Sequence, residues 1–184
     1  MATVYYADNY ATPIPSGPDG AILAAPFIFT VSTALVLNDT IKLVQLNMGP
    51  SATGSETAAN ALTAKTGGWI LYALRIDIPD LDSGTSLVFE LGDSSSATRY
   101  VTTTLAGAIG QTAGVISSFG PSIPYAAATA AAGVVAASLP ARYFAQDDLI
   151  LTVQTAPGTG LTGVAIQGYI LYQQLGTSPF TATV

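Results

Sequence analysis

Acidic residues are the side chains of this sequence whose type and spacing most invite a chemical reading, and the stretch "PDLDSG" comes first. Asp80 and Asp82 stand two apart and Gly84 follows, as at the start of a calcium loop. An EF-hand loop needs further oxygen ligands and a bidentate Glu at its twelfth position. Counted from Asp80, that position is Leu91. The calcium reading fails there, and Asp and Ser are the ordinary residues of a tight turn. Asp147 and Asp148 form a second candidate. Adjacent residues on a strand point to opposite faces, whereas acid–base chemistry by two carboxylates needs them to converge at roughly 5–9 Å. They read as polar punctuation before a buried strand. Glu90, in "LVFEL", reads as one half of a cross-strand ion pair with Arg75 or Arg99.

The missing residue types exclude more. The chain contains no His and no Cys, which removes the commonest acid–base group, the commonest metal ligand and all thiolate chemistry. Ser-His-Asp, Cys-His and His-rich zinc arrangements cannot be built. The glycine-containing stretches "PGTGLTG" and "SGPDG" lack the Lys and the following helix of a phosphate loop. No catalytic, cofactor-binding or metal-ligating residue is assigned, no cofactor is expected, and the chain reads as no enzyme.

The elements that would position any site are strands. "FIFTVSTALVL" is β-branched and aromatic and stops at the turn signal Asn38-Asp39. In "TIKLVQLNM", Ile41, Leu43 and Gln45 alternate with Lys42, Val44 and Leu46. "GWILYALRIDIPDLDSG" is expected to put Ile70, Tyr72, Leu74, Ile76 and Ile78 on one face and Trp69, Leu71, Ala73, Arg75 and Asp77 on the other. A turn at Asp82-Ser83-Gly84 leads to "TSLVFELGD", and the two runs read as an antiparallel hairpin; "ATRYVTTTL" follows in the same rhythm. Residues 106–140 read as a short helix or ordered loop around Ala126–Ala132 and a strand around Val134–Ser138. Residues 147–173 read as a second hairpin. Leu149, Leu151 and Val153 form one face, Val164, Ile166, Ile170 and Tyr172 another, and Gly168 marks a bulge or the close approach of another backbone. Eight to ten strands with no dinucleotide motif give an all-β fold, a jelly-roll-like antiparallel β-sandwich.

Residues 1–25 read as an extended Tyr/Pro-rich arm, residues 26–176 as the sandwich and residues 177–184 as a C-terminal tail. In the arm, Tyr5, Tyr6 and Tyr10 precede Pro13, Pro15 and Pro18. Proline at this density leaves extended backbone, and tyrosine gives large contact area at low entropic cost. Tyr5, Tyr6, Tyr10, Pro13 and Pro15 are therefore the expected interface residues, and loss of residues 1–24 is expected to weaken attachment without unfolding the sandwich.

Composition points to assembly. Only 9% of residues are charged and the net charge is −6, against about 25% charged residues in ordinary soluble proteins. Interface cores are depleted in charge, so much of this surface is expected to lie against other subunits. The five basic residues, Lys42, Lys65, Arg75, Arg99 and Arg142, are scattered, which argues against nucleic acid as a partner. No apolar run reaches the ~18 residues of a membrane span, and the first twenty residues carry no basic n-region or apolar h-region of a secretory signal.

Four stretches, "DIPDLDSGTSLVFELGD", "TRYV", "GQTAGVI" and "DDLILTVQTAPGTGLTGVAIQGYILYQ", resemble the head decoration (cement) proteins of tailed bacteriophages. In that family a Leu-Asp-x-Gly turn leads to a Val/Leu-rich strand ending in Gly-Asp, and a strand opening with Asp-Asp and a closing strand rich in Ile and Tyr come later. The resemblance covers roughly residues 68–175. It implies a sandwich that trimerises on the outer surface of an icosahedral head and clamps neighbouring major capsid proteins, with no catalytic residues. The alternative from a different class is a phage fibre or surface β-sandwich module that binds host carbohydrate or a receptor through exposed aromatic side chains.

Overall fold

Ten strands account for the regular structure in the computed structural model, which describes residues 2–10, 21–47, 68–84, 86–105, 111–117 and 139–175. In chain order they are β1 (Val4–Tyr6), β2 (Ile22–Thr30), β3 (Thr40–Leu46), β4 (Trp69–Pro79), β5 (Val88–Asp93), β6 (Ser96–Leu105), β7 (Gln111–Ser117), β8 (Ala141–Tyr143), β9 (Asp147–Thr155) and β10 (Ala165–Gln174). One sheet has the order β1-β3-β9-β5-β6. The other has the order β2-β10-β4-β7, with β8 pairing β4 beside β7. Inward residues of both sheets form one apolar core, in which Ile41, Leu74, Ile76, Leu149, Ile166 and Tyr172 are wholly buried. The fold is an all-β sandwich.

The pairings nest. β5 pairs β6, β4 pairs β7, β3 pairs β9 and β2 pairs β10, all antiparallel. From β2 inward, each strand thus meets its counterpart from the other end of the chain, and the folded ribbon wraps so that β10 also meets β4 and β9 also meets β5. That winding is jelly-roll-like. It overturns both expected hairpins. β4 and β5 lie in different sheets, as do β9 and β10, because "DLDSG" and "APGTGLTG" carry the chain from one layer to the other. The hairpin lies one strand later, between β5 and β6 across the Ser94-Ser95 turn.

Two bulges interrupt the expected alternation. Along β3, Lys42 faces Ile150 and Val44 faces Leu149, so Leu43 is the extra residue; Leu43 and Val44 are both buried. Along β4, Ala73 faces Leu171 and Leu71 faces Tyr172, skipping Tyr72. The inward set is therefore Trp69 and Leu71, then Leu74, Ile76 and Ile78, and not the single ten-residue series expected. An extra residue in one strand flips the faces beyond it. Trp69 stacks on Tyr172 with ring centroids 4.2 Å apart. The strand expected over residues 27–37 starts earlier and stops sooner, at Ile22 and Thr30. The helix and strand expected within residues 126–138 lie outside the described residues.

Gly168 behaves as expected of a glycine inside a strand. A Cβ added there would meet the Arg75 carbonyl oxygen at 2.0 Å and the Phe27 ring at 2.6 Å, so only glycine lets β10 settle between β2 and β4 at this point. Its neighbours Ile166 and Ile170 are wholly buried. Replacing Ile166 by Ala is expected to cost about 2–5 kcal/mol through lost burial and the cavity left behind. A thermal melt reads this as a fall of roughly 2–4 °C per kcal/mol; an unchanged melting temperature would remove Ile166 from the core.

Candidate functional site

The acidic residues singled out above do structural work. Asp82 is wholly buried. Its carboxylate accepts from the N–H groups of Gly84 (2.9 Å), Ser86 (3.1 Å), Leu87 (3.1 Å), Gly158 (3.1 Å) and Thr159 (2.8 Å), and from the Ser86 hydroxyl (3.1 Å). Burial alone raises a carboxyl pKa. Here the N–H groups of Thr159, Gly158, Gly84 and Ser86 outweigh it and hold Asp82 well below the usual carboxylate range. A carboxylate ringed by N–H and O–H donors has its lone pairs occupied and offers nothing to a cation. Asp80 accepts from the Asp82 N–H at 3.1 Å and completes the turn.

Asp93, at the end of β5, is the second buried carboxylate. It accepts from the N–H groups of Ser95 and Ser96 at 3.1 and 2.9 Å, pairs with Arg99 at 2.5 Å and accepts from the Tyr143 hydroxyl at 2.9 Å. Tyr143 in turn hydrogen-bonds Tyr100. Burial, then the Tyr100 and Asp93 oxygens, push the Tyr143 hydroxyl above its ordinary pKa. Nothing here prepares a nucleophile or a base. Glu90 enters no ion pair among the described residues: Arg75 is taken by Asp77 at 3.1 Å and Arg99 by Asp93. That corrects the expected pairing of Glu90.

The N-terminal residues form the most developed construction. β1 is a parallel edge strand on β3, with Tyr5 opposite Ile41. Beyond it the Ala7 N–H donates to the Lys42 carbonyl at 2.9 Å, and the Asp8 N–H to the Ile28 carbonyl at 2.7 Å. Residues 8 and 9 then cap the free edge of β2. The Asn9 amide donates to the Pro26 carbonyl (2.7 Å) and accepts from the Ile28 N–H (3.1 Å), while Asp8 accepts from the Thr30 N–H and hydroxyl at 3.2 and 2.7 Å. Pro26 fits this edge because its missing N–H would point away from β10. Tyr10 returns to the first sheet and donates its hydroxyl to Asp148, which also pairs with Lys42 at 2.7 Å. Burial and the Asp148 carboxylate push the Tyr10 pKa up, and the bond to Asp148 raises that of Lys42.

This changes the picture of a separate arm. Residues 4–6 and 22–25, expected to be arm, are strands of the two sheets. Tyr5 packs on Phe29 with centroids 5.8 Å apart, and Tyr10 packs against the core. Of the three tyrosines only Tyr6 is exposed, at 53%, beside Val4 at 51%. Pro13 and Pro15 lie outside the described residues. Asp148 is correspondingly more than strand punctuation.

The fold has a known counterpart. It is similar to a chain of the capsid of Ralstonia phage GP4, with a TM-score of 0.57 over 95% of this chain and 99% of that one, at 15% identity. A chain of the cyanophage Pam1 capsid asymmetric unit aligns more loosely, at TM-score 0.49 and 16% identity over 86% of this chain and 89% of that one. The chain matches no family model and no curated protein. At 15% identity the first likeness shows the fold.

Two expectations follow from the carboxylates. Asp82→Asn would turn amide hydrogens toward N–H donors and is expected to cost about 3 kcal/mol or more, since a charged acceptor is lost and buried donors are left unmade. Because its folded pKa is lowered, the Asp82 contribution is complete above the unfolded value of about 3.9 and drains away as pH falls toward the folded value. Wild type should thus lose its advantage over the variant in melts taken progressively below about pH 4; a constant gap would assign the effect elsewhere. Asp148→Asn removes the partner of Lys42 and weakens that of Tyr10, at an expected cost of about 1–2 kcal/mol. Proteolysis should read it as earlier cleavage near the N-terminus; identical cleavage kinetics would mean that Asp148 does not hold the segment.

Proposed function

We propose that this chain is a structural protein of a tailed-phage virion, which decorates the outside of an icosahedral head as a trimer and stabilises the major capsid protein shell. The observation that carries the reading is the end-to-end likeness of the sandwich to a phage capsid chain. The low charge supports it, as does the way the buried carboxylates among the described residues are taken up by internal bonds. A cement protein needs no active site. Bound to the assembled shell and not to its dissociated subunits, it stabilises the shell by its binding free energy.

The contact surface we assign runs along the β1 edge. Val4 and Tyr6 are exposed there, and Val36 and Leu37, in the turn that leads into β3, are 45% and 50% exposed. The Asp39 carboxylate ties these pieces together by accepting from the N–H groups of Thr3 (2.7 Å) and Val36 (2.9 Å). Four apolar side chains held on one bonded frame suit a partner surface.

Co-sedimentation with heads lacking this protein, together with light scattering of the free chain, tests the reading. Saturable binding is expected, with the mass of three 18.7 kDa chains in solution or on the particle. Tyr6→Asp should weaken binding at least about tenfold, as loss of an aromatic anchor does, with an unchanged melting temperature. A monomer that ignores the shells would overturn the proposal.

A further inference from the structure

The outer face of the second sheet carries a groove that the reading above does not use. Two cross-strand rows form its walls. In one, Pro26, Tyr169 and Arg75 stand side by side; in the other, Ile28, Gln167 and Asp77. Rows two residues apart on pleated strands are separated by roughly 7 Å. Phe27 and Gly168 lie between them, where the side chains turn inward or are missing. The space between the walls is about 440 Å³. Tyr169 and Ile28 are 37% and 38% exposed, and the Arg75–Asp77 pair is 43% and 31% exposed. Asn9 closes one end, its amide already bound to β2.

We propose that this groove binds a neutral saccharide, with the Tyr169 ring as the platform. The charge pattern selects that class. Arg75 and Asp77 neutralise each other at 3.1 Å, so the groove attracts neither an anion nor a cation, yet it offers N–H donors and carboxylate acceptors in a fixed plane. Gln167 adds an amide with both capacities. A hydroxyl both donates and accepts, and a sugar ring presents C–H groups to an aromatic face and hydroxyls around its rim. An open groove between two rows fits a chain of sugars lying across the strands. A small ligand that must bury most of its surface would need a closed pocket. The site lies on the outer face of the second sheet, whereas the proposed shell contacts lie on the β1 edge of the first, so the two activities are separable.

The test is a titration of the full chain with chitotetraose, maltotetraose and cellotetraose as neutral probes and trigalacturonate as the anionic comparator, followed by tyrosine and tryptophan fluorescence and by NMR of the backbone amides. At least one neutral probe is expected to bind saturably below 10 mM, to shift the amides of residues 167–169 and 75–77, and to bind tighter than trigalacturonate. Tyr169→Ala should weaken it at least about tenfold, as loss of a stacking aromatic does, while melting temperature and shell co-sedimentation stay unchanged. Tyr6→Asp should leave saccharide binding intact. The proposal is overturned if no neutral probe shifts these amides, if trigalacturonate binds equally well, or if Tyr169→Ala abolishes shell attachment, which would make the groove a protein contact.

Discussion

Six hydrogen bonds converge on the buried carboxylate of Asp82, and the relation between the two sheets depends on them. Four come from the turn that carries β4 into β5, and the N–H groups of Gly158 and Thr159 come from the loop that carries β9 into β10. Both are crossings between layers. Apolar burial holds the sheets together but has no direction; it would tolerate a slide of one layer over the other. A buried ion without converging donors is prohibitively costly, so the bonds at Asp82 admit one arrangement of the two crossings. Neighbouring backbone bonds, from Ser83 to the Thr159 carbonyl and from Leu161 to the Leu81 carbonyl, extend the same junction. At the other end of β5, Asp93 does similar work, reaching through Tyr143 to β8 on the second sheet. A central strand is thus fixed at both ends by a carboxylate that bridges layers.

The second constraint is the edge on the N-terminal side. A sandwich leaves unpaired strand edges, which invite other chains. Here the chain uses its own first ten residues to manage them. Residues 4–6 add a strand to the first sheet, and residues 8 and 9 cap the second with side-chain bonds. The cap leaves β2 closed to further pairing, while β1 keeps two exposed side chains at its rim. The same segment therefore both completes the fold and shapes the surface proposed to meet the shell.

Much of this was legible in the sequence, and the failures are physical. The inward faces of β9 and β10 follow from alternation alone, and the close approach of neighbouring backbone at Gly168 from a glycine inside an apolar strand. Asp82 was readable as a turn residue, but the backbone donors at Gly158 and Thr159, from a loop 76 and 77 residues away, have no local signature. Bulges at Leu43 and Tyr72 are invisible because both are apolar residues in apolar runs, so the slip changes no pattern that composition records. The false hairpins arose from treating sequence neighbours as sheet neighbours, when a short loop can as easily cross between layers. Pro26 hid the start of β2, since proline argues against a strand unless its missing N–H falls on the free edge, and that edge is known only once the order of strands is known.

The scarcity of charge acquires a more specific meaning in the structure. Of the five basic residues, Lys42, Arg75 and Arg99 are paired with carboxylates of this chain, and Arg142 lies over the Phe144 ring at 5.3 Å; Lys65 lies outside the described residues. Among the acids, Asp39, Asp82 and Asp93 are buried and bonded within the fold. Among the described residues, positive charge is thus mostly paired within the fold. A partner would then be recognised by shape and apolar contact, whose strength salt affects little, and not by steering between fields, which falls within a Debye length of about 8 Å at physiological ionic strength. Such a surface suits the attachment proposed above, at fixed positions on a preformed lattice, where geometry supplies the orientation that charge would supply in free solution.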